Sequence, residues 1–166
     1  MNSEWVTLEW YECEQAIYVG ARRESEALRQ DIKAPQYSEQ SSIENHMQSA
    51  GAERAVAKRL NLDWHASINT FHQGIPDVGG AIEVRYRRKK WDLPVRVKDH
   101  DDRFYVLVRG ELPKYEIVGW IQGKQAKQPQ FWKNPGNHEA AWFVPEDQLR
   151  PVAELLVSKV RLGEGA

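Results

Sequence analysis

The spacing of apolar residues changes near Trp64, and this change constrains the fold more than any other feature of the sequence. Before Trp64 the apolar residues recur at helical intervals, whereas after it short β-prone runs alternate with turn residues. Chains that place helices first and strands afterwards fold as α+β proteins. We therefore expect an α+β fold with a central mixed or mostly antiparallel β-sheet flanked by helices.

Two helices are predicted in the first part of the chain. The first is an amphipathic helix that starts near Val6 and ends before Lys33-Ala34-Pro35. The second begins at residues 41–44, which have the pattern of a capping box, and continues to about Asn61.

Glu53 lies on the inward-facing stripe of the second predicted helix. The other residues of this stripe are small or apolar: Ala50, Ala57 and Leu60. An acid at such a position either pairs with an arginine across the domain or belongs to a functional site, and the sequence leaves both open.

The remaining elements are predicted after Trp64. Five strands are expected in a meander, at 67–71, 81–86, 93–97, 104–109 and 115–121. Further along, short helical turns are expected at 123–127 and 129–132, a strand at 141–144 and a terminal helix at 151–160.

The strand at 81–86 carries two charged residues on one face. Side chains alternate along a strand, so Glu83 and Arg85 point to the same side. A tight turn precedes this strand. If it has three residues, Asp77 shares the face of Glu83, and if it has two, Asp77 does not.

Size and composition predict one domain over 1–166. We divide it into an N-terminal helix (1–33), a core (41–122) and an irregular C-terminal extension with a terminal helix (123–166).

The net charge of -1 gives the whole molecule no long-range attraction to nucleic acid, so such binding has to be local. The lone Cys13 is expected to be a buried thiol in a reducing compartment. The absence of a signal-peptide pattern and of a long apolar run predicts a cytoplasmic protein without a membrane partner.

Three carboxylates form the candidate site: Glu53, Asp77 and Glu83. Two carboxylates held about 4 Å apart repel by roughly 4 kcal/mol at an effective dielectric near 20, so a cluster needs a cation, a shifted pKa or a basic neighbour. Arg85 and the basic run 87–90 follow closely in the sequence. These charges suit a site that handles phosphodiesters, although they also allow plain ion pairing.

A helical Glu53, then Pro76-Asp77, then Glu83-Val84-Arg85 on a strand resembles the PD-(D/E)XK nuclease superfamily. The resemblance covers roughly 42–110 and implies a restriction-endonuclease-like core, a mixed sheet flanked by helices. Through Gly119-Trp120-Ile121 and the stretches 131–136 and 141–145, the wider chain is also similar to uncharacterised phage and prophage proteins of this length, which would place it in the host cytoplasm.

The resemblance implies a role for each matching residue. Asp77 and Glu83 would hold Mg²⁺ or Mn²⁺, Glu53 would be an accessory acid, and Arg85 would occupy the position of the family's lysine. An arginine stays protonated and does not readily accept a proton from water, so Arg85 would stabilise charge on the phosphoryl group.

Nucleic acid, with DNA preferred, is the expected partner. The residues expected to contact it are Arg87, Arg88, Lys89, Lys90 and Lys98. The expected function is nucleic-acid binding with Mg²⁺-dependent phosphodiester hydrolysis. The alternative is an inactive binding or assembly module of phage origin, with the tryptophan-rich C-terminal third as a surface for a protein partner.

Overall fold

The computed structural model describes residues 3–32, 41–68 and 74–158. The elements within these ranges are, in chain order, β1 (Glu4–Thr7), α1 (Trp10–Arg29), α2 (Ser42–Leu60), β2 (Ile82–Arg87), β3 (Leu93–Val95), β4 (Phe104–Glu111), β5 (Lys114–Gln122), α3 (Gly123–Ala126), β6 (Trp132–Lys133), β7 (Ala141–Val144) and α4 (Ala153–Ser158). Two single turns of 3-10 helix lie at Pro129–Phe131 and Glu146–Gln148.

The strands form two sheets. The larger sheet has four strands in the order β1-β5-β4-β2, and the smaller has three in the order β3-β7-β6. In the larger sheet β2 is parallel to β4, and the other neighbours are antiparallel. The expected α+β fold with a mixed sheet is confirmed. The predicted meander is wrong, because β3 pairs with β7 in the second sheet instead of lying between β2 and β4.

The central strands β4 and β5 are buried on both faces, which explains their nearly continuous apolar sequences. One core lies between the larger sheet and the helices and includes Val56, Leu60, Val106, Val108 and Ile117. The other lies between the two sheets and includes Leu93, Tyr105, Leu107, Ile121 and Val144. The edge strand β2 instead alternates between buried and half-buried residues, so one of its faces is available for a site.

The two long helices differ in how well their starts follow the sequence pattern. The expected start of the first helix near Val6 is wrong, because Val6 pairs with Tyr115 in the sheet and the helix begins at Trp10. For α2, the Ser41 hydroxyl accepts a hydrogen bond of 3.3 Å from the Glu44 N–H, which confirms the Ser41 half of the predicted capping box.

Other predicted elements are partly confirmed. The strands expected at 81–86, 104–109, 115–121 and 141–144 are present, whereas β3 ends at Val95 and leaves Lys98 in a turn. Ser67 and Ile68 are not in a strand, and the rest of the strand predicted at 67–71 lies outside the described residues. The terminal helix is present as α4, and the end of its predicted range also lies outside them.

Candidate functional site

A tight hairpin carries Asp77 and Glu83 on its two arms. Val78 and Ile82 form an antiparallel bridge around the three residues 79–81, with reciprocal N···O distances of 3.1 and 3.2 Å. Gly79 has a φ of +56°, a left-handed conformation that glycine adopts without steric cost. The turn therefore has three residues, the alternative that places Asp77 and Glu83 on one side.

Both carboxylates line a cavity of about 500 Å³. Its charged lining residues are four acids and five bases: Glu53, Asp77, Glu83, Asp99, Arg23, Arg85, Arg96, Lys98 and Arg103. The volume lies within the range of about 300–1,000 Å³ found for small-molecule sites. The four residues that the sequence indicated as catalytic thus line one cavity, and Lys98 lines it with them.

Glu53 is held by three hydrogen bonds. Arg23 donates through Nη1 and Nη2 over 3.0 and 2.8 Å, and the Trp64 indole donates over 2.9 Å. The Nε of Arg23 also donates to the Ser67 carbonyl over 2.8 Å. Glu53 therefore pairs with an arginine of the neighbouring helix, and it also lines the cavity.

Glu83 is paired with Arg103. The Nη1 of Arg103 donates to Glu83 Oε1, and its Nη2 donates to the carbonyl of Gly74. The side chains of Glu83 and Arg103 are 15% and 16% exposed, so the pair is shielded yet reachable from the cavity.

Arg85 is fixed by three neighbours. Its Nη2 donates to Asp99 Oδ2 over 2.7 Å and its Nε to the Pro94 carbonyl over 3.3 Å. Its guanidinium lies 5.0 Å from the ring centre of Tyr105, within cation–π distance. Asp99 is held in turn by the N–H of Arg96 at 2.8 Å, so the turn after β3 positions Arg85.

Asp77 lacks such compensation. Its Oδ2 accepts a hydrogen bond of 2.8 Å from the N–H of Val84, and among the described residues no Lys or Arg side chain forms a salt bridge with it. Burial raises the pKa of Asp77 well above its usual range, and the negative charges of Glu53 and Glu83 raise it further. The Val84 hydrogen bond and Arg85 act in the opposite direction but do not prevail.

The carboxylate oxygens of Asp77 and Glu83 are ligands of the type that Mg²⁺ or Mn²⁺ takes. Mg²⁺ prefers oxygen ligands and is usually held by one or two carboxylates together with waters and substrate phosphates. Asp77 and Glu83 supply two carboxylates, and the pKa of Asp77 is raised first by burial and then by the negative charges of Glu53 and Glu83. Within the ranges that the structure describes, no group of three or more His, Cys, Asp or Glu side chains is arranged to hold a metal.

The basic run at the end of β2 lies away from the cavity. Arg87 is four residues beyond Glu83, about 13 Å along a strand, and its Nη1 donates to the Tyr86 carbonyl. Arg88 forms a 2.6 Å salt bridge with Glu111, and Lys89 and Lys90 are exposed. These four predicted contact residues are thus separated from the carboxylates, unlike Lys98.

Several lining residues were missed in the sequence analysis: Arg23, Asp99, Arg103 and Tyr105. Arg23 had a detectable signal, because it lies on the buried stripe of α1 and can complement Glu53 on α2. Arg103 had none, since it precedes β4 in a turn without periodicity.

No protein-family model, curated protein or solved structure matches this chain. In the described ranges, every helix falls short of the length or apolar character needed to cross a bilayer. What the cavity can do therefore has to follow from its own residues.

Proposed function

We propose that the cavity binds a phosphodiester group of nucleic acid, with DNA as the expected substrate, and hydrolyses it with Mg²⁺ or Mn²⁺. The supporting observation is the meeting of Asp77, Glu83 and Arg85 in one cavity that also holds further basic side chains. Carboxylates for a cation and guanidiniums for a phosphate are the two requirements of phosphoryl chemistry.

Each residue has a distinct role in this proposal. Asp77 and Glu83 would hold the cation, which would supply Lewis-acid stabilisation of charge that develops on the phosphoryl oxygens. Arg85 presents a fixed positive charge to the same oxygens and does not act as a base, because guanidinium stays protonated. Glu53 orients Arg23 at the cavity wall.

The proposal includes a restriction-endonuclease-like core of the PD-(D/E)XK type. The order of the parts supports it: a buried acid on α2, an aspartate on the first arm of a hairpin, and Glu83 and Arg85 on the second arm and β2. The combination of parallel and antiparallel strand pairs in the larger sheet is compatible with such a core.

The experiment compares the wild type with Asp77→Asn. This change keeps an acceptor for the Val84 N–H but removes the charge, so Mn²⁺ binding by calorimetry and Mn²⁺-dependent cleavage of plasmid and single-stranded DNA should both be lost. The matched control is Asp102→Asn, an exposed carboxylate outside the cavity lining, which should behave as the wild type. Equal cleavage by wild type and Asp77→Asn would refute the assignment.

A second candidate is a binding module without catalysis. It is favoured by the arginine pairing of Glu53 and Glu83 and by an arginine in the lysine position of the motif. Fluorescence anisotropy with DNA across a salt series distinguishes the two candidates. A steep salt dependence without cleavage would support the binding module, because phosphate contacts release counterions.

The aromatic C-terminal third is the surface to test if no DNA binds. Trp132 is 42% exposed and packs edge-to-face on Trp142 with ring centres 4.8 Å apart. Trp120, in contrast, belongs to the core at 2% exposure and offers no surface. A protein partner at Trp132 and Trp142 is the form of the binding module that such a result would favour.

A further inference from the structure

The three arginines that bond to carboxylates in the cavity differ in how they are anchored. Arg23 uses Nε, Nη1 and Nη2 for Glu53 and Ser67, and Arg85 is clamped by Asp99 and packed on Tyr105. Neither anchor involves Asp77 or Glu83. Arg23 and Arg85 therefore keep their places whatever binds to those two carboxylates.

Arg103 is anchored differently. Its ion-pair partner is Glu83, and its other hydrogen bond goes to the carbonyl of Gly74, an exposed glycine. Its Nε makes no hydrogen bond to any residue in the described part of the chain. Of these three arginines, Arg103 is therefore the one that pairs with a proposed cation ligand, Glu83.

We propose that Arg103 exchanges partners: it neutralises Glu83 until a divalent cation binds, and then contacts the phosphate of the substrate. This inference rests on the proposed function and adds a substrate-binding residue to it. A divalent cation at Glu83 repels a guanidinium and competes for the same oxygens. A phosphate offers that guanidinium a replacement partner with matching bidentate geometry.

The charges of the cavity agree with this exchange. Five Lys or Arg side chains face four Asp or Glu side chains, so the lining is close to balanced before a cation enters. A divalent cation makes the cavity more positive, and an anionic phosphodiester then offsets part of that charge. Metal and nucleic acid should consequently bind with positive coupling, because each stabilises the arrangement that the other requires.

The first test is calorimetry with Mn²⁺ alone on the wild type, Arg103→Gln and Arg88→Gln. Removal of the competing guanidinium should make Mn²⁺ binding to Arg103→Gln roughly three- to tenfold tighter. Arg88→Gln is the matched control, because it breaks an arginine–glutamate pair outside the cavity and should leave Mn²⁺ affinity unchanged. Unchanged or weaker Mn²⁺ binding by Arg103→Gln would overturn the exchange.

The second test is anisotropy with fluorescein-labelled single-stranded DNA, in EDTA and in Ca²⁺, across a salt series. Ca²⁺ takes oxygen ligands as Mg²⁺ does. In Ca²⁺, Arg103→Gln should lower the slope of log affinity against log salt by about 0.7, the value of one phosphate contact. In EDTA it should match the wild type, a cation-dependent signature that a merely structural arginine would not produce. A loss of slope in EDTA as well would overturn the exchange.

Arg103→Lys keeps the test decisive if Arg103→Gln unfolds. Lysine retains the charge, so it should compete with Mn²⁺ as the wild type does and restore the salt slope in Ca²⁺. Mn²⁺ and DNA binding by the wild type without these Arg103 effects would refute the exchange and leave the proposed function standing. A wild type that binds neither Mn²⁺ nor DNA would refute both.

Discussion

The pKa values of two carboxylates in this protein, the buried Glu12 and the half-buried Asp77, are shifted in opposite directions. Glu12 is 1% exposed and accepts hydrogen bonds from Lys58 at 2.7 Å and from the Glu9 N–H at 3.0 Å, with Arg54 at 3.2 Å. Burial alone would raise the pKa of Glu12, yet Lys58, the Glu9 N–H and Arg54 together hold it below its usual value.

Asp77 is half-buried, and the arginines near it are paired with other carboxylates. Arg23, Arg85 and Arg103 bond to Glu53, Asp99 and Glu83, and the pKa of Asp77 rises through burial and the remaining negative charge. Complete compensation is typical of a structural ion cluster, whereas incomplete compensation in a cavity is typical of a functional site. Substitutions at Glu12, at Asp77 and at the residues around them can test this difference in charge compensation.

The largest effect is expected from breaking the Glu12 cluster. Arg54→Met together with Lys58→Met leaves a buried carboxylate without a cation and should lower the free energy of unfolding by about 3–5 kcal/mol. Urea denaturation measures the loss. Adding Glu12→Leu should recover most of it, because an apolar replacement of a buried ion cluster is nearly neutral. A double variant as stable as the wild type would show that Glu12 needs no compensation.

A substitution at Glu53 tests whether the charge of a cavity carboxylate stabilises the fold as that of Glu12 does. Glu53→Gln keeps an acceptor for Trp64 but removes the charge opposite Arg23, so we expect a loss of about 2 kcal/mol in the free energy of unfolding. Thermal or urea unfolding measures it, with the exposed Glu14→Gln on α1 as control, expected within about 0.5 kcal/mol of the wild type. If Glu53→Gln were more stable than the wild type, the charge of Glu53 would destabilise the fold, as we expect for Asp77.

Asp77→Asn should produce a pH-dependent gain in stability in EDTA. The pKa of Asp77 is raised in the folded protein, so above the unfolded value near 4 the folded state binds more protons than the unfolded state. Its stability therefore falls as pH rises through that window. The variant escapes this loss and should match the wild type near pH 3.5 and exceed it at neutral pH. Urea midpoints across the pH range measure the difference, and a pH-independent difference would contradict the raised pKa.

Glu12 predicts the opposite slope. Its pKa is lowered in the folded protein, so its contribution to stability is present above the usual glutamate value near 4.3 and is lost as pH falls through the folded pKa. Replacing Glu12 by Gln should therefore cost most at neutral pH and least in acid. A cost of equal size at pH 3 and pH 7 would mean that the charge of Glu12 is not what stabilises the cluster.

The smallest effect concerns Lys98 at the cavity. Lys98→Gln should leave stability unchanged and lower the salt slope of DNA binding by about 0.7–0.9, the contribution of a single phosphate contact. Lys89→Gln, on the basic run away from the cavity, is the matched comparison. Fluorescence anisotropy would show whether the cavity or the basic run 87–90 makes the phosphate contact. A lower salt slope in Lys89→Gln alone would mean that DNA binds at the basic run.

Much of this fold could be predicted because its signals are local. The period of 3.6 placed Glu53 on the inner stripe of α2, and the period of two placed Glu83 and Arg85 on one face of β2. The strand β1 was missed because four residues with a single buried position resemble the start of the following helix. The parallel pairing of β2 and β4 was missed because it depends on where β3 goes, and a strand's own residues do not specify its partner.

The sequence by itself determined which residue types were available and which way they faced, since both follow from short-range periodicity. Only the tertiary structure decided which arginine pairs with which carboxylate. Arg23 meets Glu53 across 30 positions and Arg103 meets Glu83 across 20, because the packing of α1 on α2 and the turn before β4 bring them together. Among the described residues Asp77 has no salt-bridge partner for the same reason: charge compensation depends on distances through space, which no local pattern encodes.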